Sequence, residues 1–210
     1  MRRPRRFVAA CIALCAAVAT GAFALAKLSA AAQSPSPGAE LTTPMVGELI
    51  PAAYTTGYTW FDNTPPGSTV ISHPVVHSRA GGTGTYADPI TLAVGHSLET
   101  GEDVLDHPAG TRFYLPHVRR YFIVEDTCGD GATPQDRGCH NLASAPSGAR
   151  TWLDLYVGGA AGDDEAAVQA CAGKVTDGDT ELHAVIKDPA STHPVVAGPL
   201  FQEGRCTALY

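Results

Sequence analysis

The amino-acid sequence predicts a mostly β domain, a barrel or sandwich of short strands with one helix. Seven runs rich in Val, Ile, Thr and aromatic residues, at 54–61, 69–76, 89–94, 111–115, 120–125, 151–157 and 181–187, alternate with clusters of Gly, Pro and Asp. That is the pattern of short strands punctuated by turns, and many such strands argue for a barrel or a sandwich. One stretch alone, Asp163 to Ala172, reads as a helix. Asp163, Asp164 and Glu165 stand in its first turn, alanines run through it and Gly173 follows, so acidic groups meet the positive end of the helix dipole and a glycine marks the stop. No internal repeat or coiled-coil period is visible.

Ahead of the strands, Arg2, Arg3, Arg5 and Arg6 precede an apolar run from Phe7 to Ala26, with small-residue cleavage sites after Ala26 and Ala32. This is the pattern of an export signal. The run is also just long enough for an uncleaved anchor, but the alanines and small residues at both sites favour cleavage. The expected organisation is a signal peptide over 1–32, a Pro-, Ser-, Thr- and Gly-rich arm over 33–51 and a folded domain over 52–210. The chain is expected to be secreted, monomeric and free of stable membrane association once the signal is removed.

Loss of the signal takes four arginines and Lys27 from fourteen basic residues, leaving nine against twenty-one acidic ones, a net charge of −12. Such a surface repels nucleic acid and anionic membranes. Cys128, Cys139, Cys171 and Cys206 remain outside the signal. An even count in an oxidising compartment implies two disulfides. Of the three possible pairings, Cys128–Cys139 closing a short loop and Cys171–Cys206 tying down the C-terminus are preferred. The spacings lack the close pairs of a zinc ribbon, and no metal or other cofactor is expected.

Two strands carry the candidate chemistry. With a period of two residues, Tyr58, Trp60 and Asp62 share one face of TGYTWFDN, and Trp152, Asp154 and Tyr156 share one face of TWLDLYV, with Leu153, Leu155 and Val157 on the other. Aromatic rings stack on the apolar faces of sugars, and two facing carboxylates are what glycosidic cleavage requires. The plainer reading is that Trp and Tyr thicken a core and that Asp at a strand end caps a turn. His73 and His77, separated by Pro74, make a poor metal pair. His140, beside Cys139, is a candidate cleft residue. There is no G-x-S-x-G nucleophile elbow, and the G-T-G-T ending at Thr85 is a turn signal.

Residues 109–157 resemble the double-psi β-barrel proteins that act on cell walls. Pro108, Gly110 and Thr111 match the P-x-G-T element of the three-aspartate domain of bacterial wall-lytic proteins, Asp126 and Thr127 its D-T-G-G element, and Leu153, Asp154 and Leu155 its hydrophobic-Asp-hydrophobic strand. The last element is also similar to the H-F-D-L strand of family-45 endoglucanases and expansins. Those endoglucanases carry a second aspartate at the end of an early aromatic strand, where Asp62 stands here. Membrane-bound lytic transglycosylase A has a related barrel and works with the equivalent of Asp154 alone. The chain departs from the three-aspartate pattern in two places. CGDGATPQDRGCH replaces the glycine-rich turn, and the first aspartate has only Asp88 and Asp106 as candidates. The chain also resembles small secreted microbial proteins with an aromatic-x-x-D-N-x-P-P-G start and a G-T-Y-x-D-P-I-T strand.

The resemblance implies a six-stranded double-psi β-barrel with one short helix and long disulfide-tied loops. It also implies a secreted glycan-cleaving enzyme, a glycoside hydrolase or lytic transglycosylase, acting on peptidoglycan or another cell-wall polysaccharide. Asp154 would be the general acid and Asp62 the base that activates water. Asp126 would orient substrate or Asp154, with Tyr58, Trp60, Trp152 and Tyr156 lining the groove. Without Asp62 in that role, a sugar hydroxyl would replace water and the enzyme would be a transglycosylase. Two alternatives stand beside it: a non-catalytic expansin-like wall-binding module, and a protein-binding or inhibitor-like barrel.

Overall fold

The computed structural model describes residues 47–128, 142–178 and 180–208. The expected signal peptide, residues 33–46 of the expected arm, Cys139 and His140 lie outside them. In chain order the elements are β1 (Glu48–Thr59), β2 (Ile90–Val94), β3 (His96–Ser97), β4 (Val104–Leu105), β5 (Arg112–Leu115), β6 (Arg120–Thr127), β7 (Thr151–Gly158), α1 (Glu165–Val175), β8 (His183–Lys187), β9 (Phe201–Gln202) and β10 (Arg205–Cys206). Six of the strands close into a barrel in the order β1-β7-β2-β6-β5-β8. β1 with β7 and β2 with β6 are parallel pairs, and the other neighbours are antiparallel. A mixed, closed, six-stranded barrel with one helix is consistent with the double-psi β-barrel class. β3–β4 and β9–β10 are two-residue hairpins outside it, too short to leave a period in the sequence.

The alternation of side chains sorts the barrel into an apolar inside and a mixed outside. Leu92 stands opposite Leu155 on one neighbour and Val124 on the other, and Phe113 stands opposite Phe122. All five are fully buried, and each contributes roughly 1.5–3 kcal/mol by leaving water. β2, flanked on both edges, is buried along its whole length, as its continuous ITLAV run allows. β1 is long enough to serve two partners: its first half pairs with β8 and its second with β7. Fully buried Arg120 donates to Gly198 O, Val118 O and Thr207 Oγ1, which holds the C-terminal segment against the barrel.

α1 starts at Asp164, whose side chain caps the Ala166 N–H, and turns Val168, Cys171, Ala172 and Val175 inward. Its C-terminal end lies close against β1 because residue 57 is glycine: a Cβ there would meet Val175 Cγ2 at 2.6 Å. The Cys171–Cys206 disulfide, spanning 35 residues, then ties β10 to this helix. Cys128 is also disulfide-bonded.

Several expected boundaries change. The helix begins two residues later than expected, because Asp163 and Asp164 serve the turn and the cap, and it runs through Gly173 to Val175. β1 starts at Glu48 rather than at residue 54, within the expected arm, because it pairs with β8 there. β1 also ends at Thr59 rather than at residue 61. The segment 69–76 forms no strand: the N–H groups of Ser72, His73, Val75 and Val76 go to Asp126, to the Glu125 carbonyl and to the Glu125 carboxylate, which leaves no ladder to build.

Replacing Cys171 and Cys206 together by alanine is expected to cost about 2–4 kcal/mol, the usual worth of a disulfide closing a loop of this order. Equilibrium urea unfolding of the oxidised parent and the double variant measures it.

Candidate functional site

One register row crosses four strands on the outside of the barrel. Thr56 of β1 stands opposite Asp154 of β7, Asp154 opposite Ala93 of β2, and Ala93 opposite Asp126 of β6. Residues in one row point to one side of a sheet, so the two carboxylates share a face, with Ala93 between them in the row. The flanking rows are aromatic. Tyr54 stands opposite Trp152 and Tyr58 opposite Tyr156, with ring centroids 4.7 Å and 5.3 Å apart in edge-on pairs.

Asp126 reaches this row through a β-bulge. Ladder pairing steps from Leu92↔Val124 to Ala93↔Asp126, leaving Glu125 as the extra residue, and such insertions re-aim side chains beside functional sites. Asp126 is only 6% exposed. Its Oδ1 accepts from the Ser72 N–H at 3.0 Å, Ser72 Oγ at 3.1 Å and the Thr127 N–H at 3.0 Å, and its Oδ2 from the Tyr58 hydroxyl at 3.1 Å. Burial pushes its carboxyl above the usual range even against these four donors. Burial, then the charges of Asp126 and Asp154, holds the Tyr58 hydroxyl well above the ordinary phenol range. Burial pushes Tyr156 up to about 12. Both phenols therefore stay protonated.

Asp154 is half-buried and held differently. The Trp152 indole N–H donates to Thr56 Oγ1 at 2.9 Å, and the Thr56 hydroxyl donates to Asp154 Oδ1 at 2.8 Å. Strand alternation thus produces a positioned carboxylate on the open side of the pair and a buried one on the other.

The loop over Asp126 is anchored from below by Glu125. Its fully buried carboxylate accepts the N–H groups of Val75, Val76 and His77 on Oε1 and meets His77 Nδ1 at 2.7 Å on Oε2. The other ring nitrogen of His77 meets Asp88 Oδ1 at 2.8 Å, and Thr83 Oγ1 donates to Asp88 Oδ2 at 2.7 Å. Burial by itself lowers the His77 pKa. The hydrogen bonds and charges of Asp88 and Glu125 together outweigh it, so the net shift is upward. The His77 hydrogen bond, then the one from Thr83, hold Asp88 low.

Asp62 and Trp60 do not join the row. Because β1 ends at Thr59, the expected alternation through Tyr58, Trp60 and Asp62 stops there. Asp62 Oδ1 instead accepts the Thr59 N–H at 2.7 Å and the Thr59 hydroxyl at 2.6 Å, capping the turn. Trp60 turns edge-on to Phe61 at 5.1 Å, and its carbonyl accepts the Gly67 N–H. Tyr58 is 8% exposed, a buried link between the carboxylates rather than an open groove wall. Trp152 and Asp154 lie half-buried on the outer face, with Leu153 and Leu155 inside; Tyr156 follows their period but is only 5% exposed, so like Tyr58 it is a buried group rather than the groove wall expected of it. Sequence reading missed Thr56, Glu125 and Ser72. Thr56 falls on the period of Tyr54 and Tyr58 and was findable, whereas Ser72 needed the loop. Among the described residues, no group of three His, Cys, Asp or Glu side chains is arranged to hold a metal ion.

The family described as the DDB_G0273701 N-terminal domain matches residues 50–207. The uncharacterized protein DDB_G0273701/DDB_G0273221 of Dictyostelium discoideum is 42% identical over 73 residues, which is 35% of this chain and 28% of that protein. The chain therefore spans little more than a quarter of that relative. No solved structure matches the chain.

The His77 bridge makes loop stability pH-dependent. A raised histidine pKa contributes stability that is complete below about pH 6.5 and is lost as pH rises through the folded value. A lowered aspartate pKa contributes stability present above about pH 3.9 and lost on acidification. Intrinsically corrected hydrogen exchange should show the Val75, Val76 and His77 amides best protected between roughly pH 4 and 6.5. Protection should fall on the alkaline side, and His77→Gln should flatten that fall.

Proposed function

The chain belongs to the DDB_G0273701 N-terminal domain family, and we propose that it is a secreted enzyme that cleaves a cell-wall polysaccharide, with Asp154 as the acid/base residue. The observation that carries this reading is the outer-face row Thr56–Asp154–Ala93–Asp126 between two aromatic pairs. A sugar ring lying along half-buried Tyr54 and Trp152 would bring a glycosidic oxygen to Asp154. Asp126, nearly out of reach of solvent, positions Tyr58 and adds to the field around Asp154 rather than touching substrate.

Transglycosylation fits these side chains better than hydrolysis, because Asp62 is committed to the Thr59 turn and is not poised to activate water. Asp154 protonates the leaving oxygen as the C1–O bond breaks and its electron pair goes to that oxygen. A hydroxyl of the same sugar then attacks C1 and returns its proton to Asp154. No water is consumed, and the product carries an anhydro end. The backbones of Asp154 and Asp126 are two strand spacings apart, about 9–10 Å, so a water-activating role for Asp126 would require its carboxyl to leave the four donors that hold it.

Those four donors support a second reading, a non-catalytic wall-binding module in which Asp126 is purely structural. Incubation with a panel of purified wall polymers, with product masses read for added water or an anhydro end, separates the two. The expected result is anhydro products whose formation falls roughly 10²–10⁴-fold in Asp154→Asn, the usual worth of general acid catalysis, with binding retained. Asp62→Asn is expected to leave turnover within a few-fold. Polymer binding without any product would establish the module instead.

A further inference from the structure

Asp126 is cut off from solvent by the loop above it, yet one of its partners leads outward. Ser72 Oγ, which donates to Asp126 Oδ1 at 3.1 Å, also lies 3.0 Å from Thr127 Oγ1 and 2.9 Å from His73 Nδ1. His73 Nε2 faces Asp103 Oδ2 at 3.6 Å, and Asp103 Oδ1 is held by His96 Nδ1 at 2.7 Å. The His73 side chain is 27% exposed. A hydroxyl has one proton to donate and two lone pairs, so when Ser72 gives its proton to the Asp126 carboxylate, it accepts from Thr127 and from His73. Protonation of Asp126 at Oδ1 turns this arrangement around.

We infer that Ser72, His73 and Asp103 form a proton path that connects buried Asp126 with solvent, so that the ionisation of Asp126 is coupled to that of the His73 ring. In the outward direction, the proton on Asp126 Oδ1 passes to Ser72 Oγ as the Ser72 hydroxyl proton passes to His73 Nδ1. Asp126 becomes a carboxylate, Ser72 remains a hydroxyl and His73 becomes an imidazolium facing Asp103. Its Nε2 proton then leaves to water, and the net movement is one proton. The inward direction reverses each transfer. For the mechanism above, the path sets the charge beneath Tyr58 and Asp154, and that consequence alone rests on the glycan-cleaving reading.

The neighbouring charges are few and favour this route. On the His73 side stand Asp103 and, beyond it, His96. On the Asp126 side stand Tyr58 and, past it, Asp154. Glu125 takes the His73 N–H on its carbonyl, and its carboxylate is committed to residues 75–77, with His77 and Asp88 behind it. His73 Nδ1 and Asp126 Oδ1 are no more than about 6 Å apart, since both lie against Ser72 Oγ, within the range where one charge moves the other group's pKa.

Following the Asp126 carboxyl carbon of the 13C-labelled protein by NMR across pH tests the path without any substrate. The native protein is expected to show a main step and a second step coincident with the His73 ring titration. His73→Gln should remove the second step and raise the Asp126 midpoint by about one pH unit, the low end of a neighbouring charge's effect. Ser72→Ala should shrink the second step to the part carried by direct charge proximity while His73 still titrates, and Ser72→Thr, which keeps a hydroxyl, should restore its full size. Circular dichroism and melting confirm that each variant is folded. An Asp126 curve in folded His73→Gln that superimposes on the native one, or a second step undiminished in Ser72→Ala, overturns the path. Coupling together with full turnover in Asp154→Asn would uphold the path and overturn the glycan-cleaving reading. Absent coupling together with lost turnover in that variant would do the reverse.

Discussion

The bulge at Glu125 in β6 is the constraint on which the site depends. One residue beyond the ladder's need lets two adjacent carboxylates serve the same side of the barrel. A buried carboxylate is tolerated only when its lone pairs are filled, and neither Glu125 nor Asp126 finds enough donors within the sheet. The loop over 72–77 supplies them from its own backbone. The loop cannot leave without stranding two charges, and the charges could not be buried without the loop. This is why a segment with strand-like composition is not a strand.

The same exchange gives the candidate site its asymmetry. Asp126 is surrounded by donors and shielded from water, whereas Asp154 sits two strands away with a threonine hydroxyl directing it and an indole directing the threonine. Tyr58 lies between them, bonded to one and within the field of the other. Two like carboxylates on one face are thereby placed in unlike surroundings. Ala93 matters by being small: a larger side chain in that row would fill the space between the two groups.

Stability and chemistry are therefore carried by different layers. The interior, with Leu92, Leu153, Leu155, Phe113 and Phe122, closes the barrel whatever stands outside. The Cys171–Cys206 bond and buried Arg120 secure the C-terminal segment. The outer layer of β1 and β7 is then free to present polar groups, and the His77 bridge between buried Glu125 and half-exposed Asp88 couples loop order to pH.

Side-chain period determined from the sequence alone that Trp152, Asp154 and Tyr156 share a face and that Leu153 and Leu155 oppose them, because a strand alternates wherever it goes. Composition likewise determined the mostly β class and a single helix, and the resemblance pointed to a closed six-stranded barrel. Tertiary structure decided which second carboxylate stands near Asp154. Asp62 follows Tyr58 by four residues, but β1 ends before it and a turn claims its oxygen. Asp126 lies 28 residues from Asp154 in the chain, and only the parallel pairing of β2 with β6 and the bulge at Glu125 bring it into the row. Local period is a property of consecutive residues, whereas register across strands is set by the closure of the whole barrel.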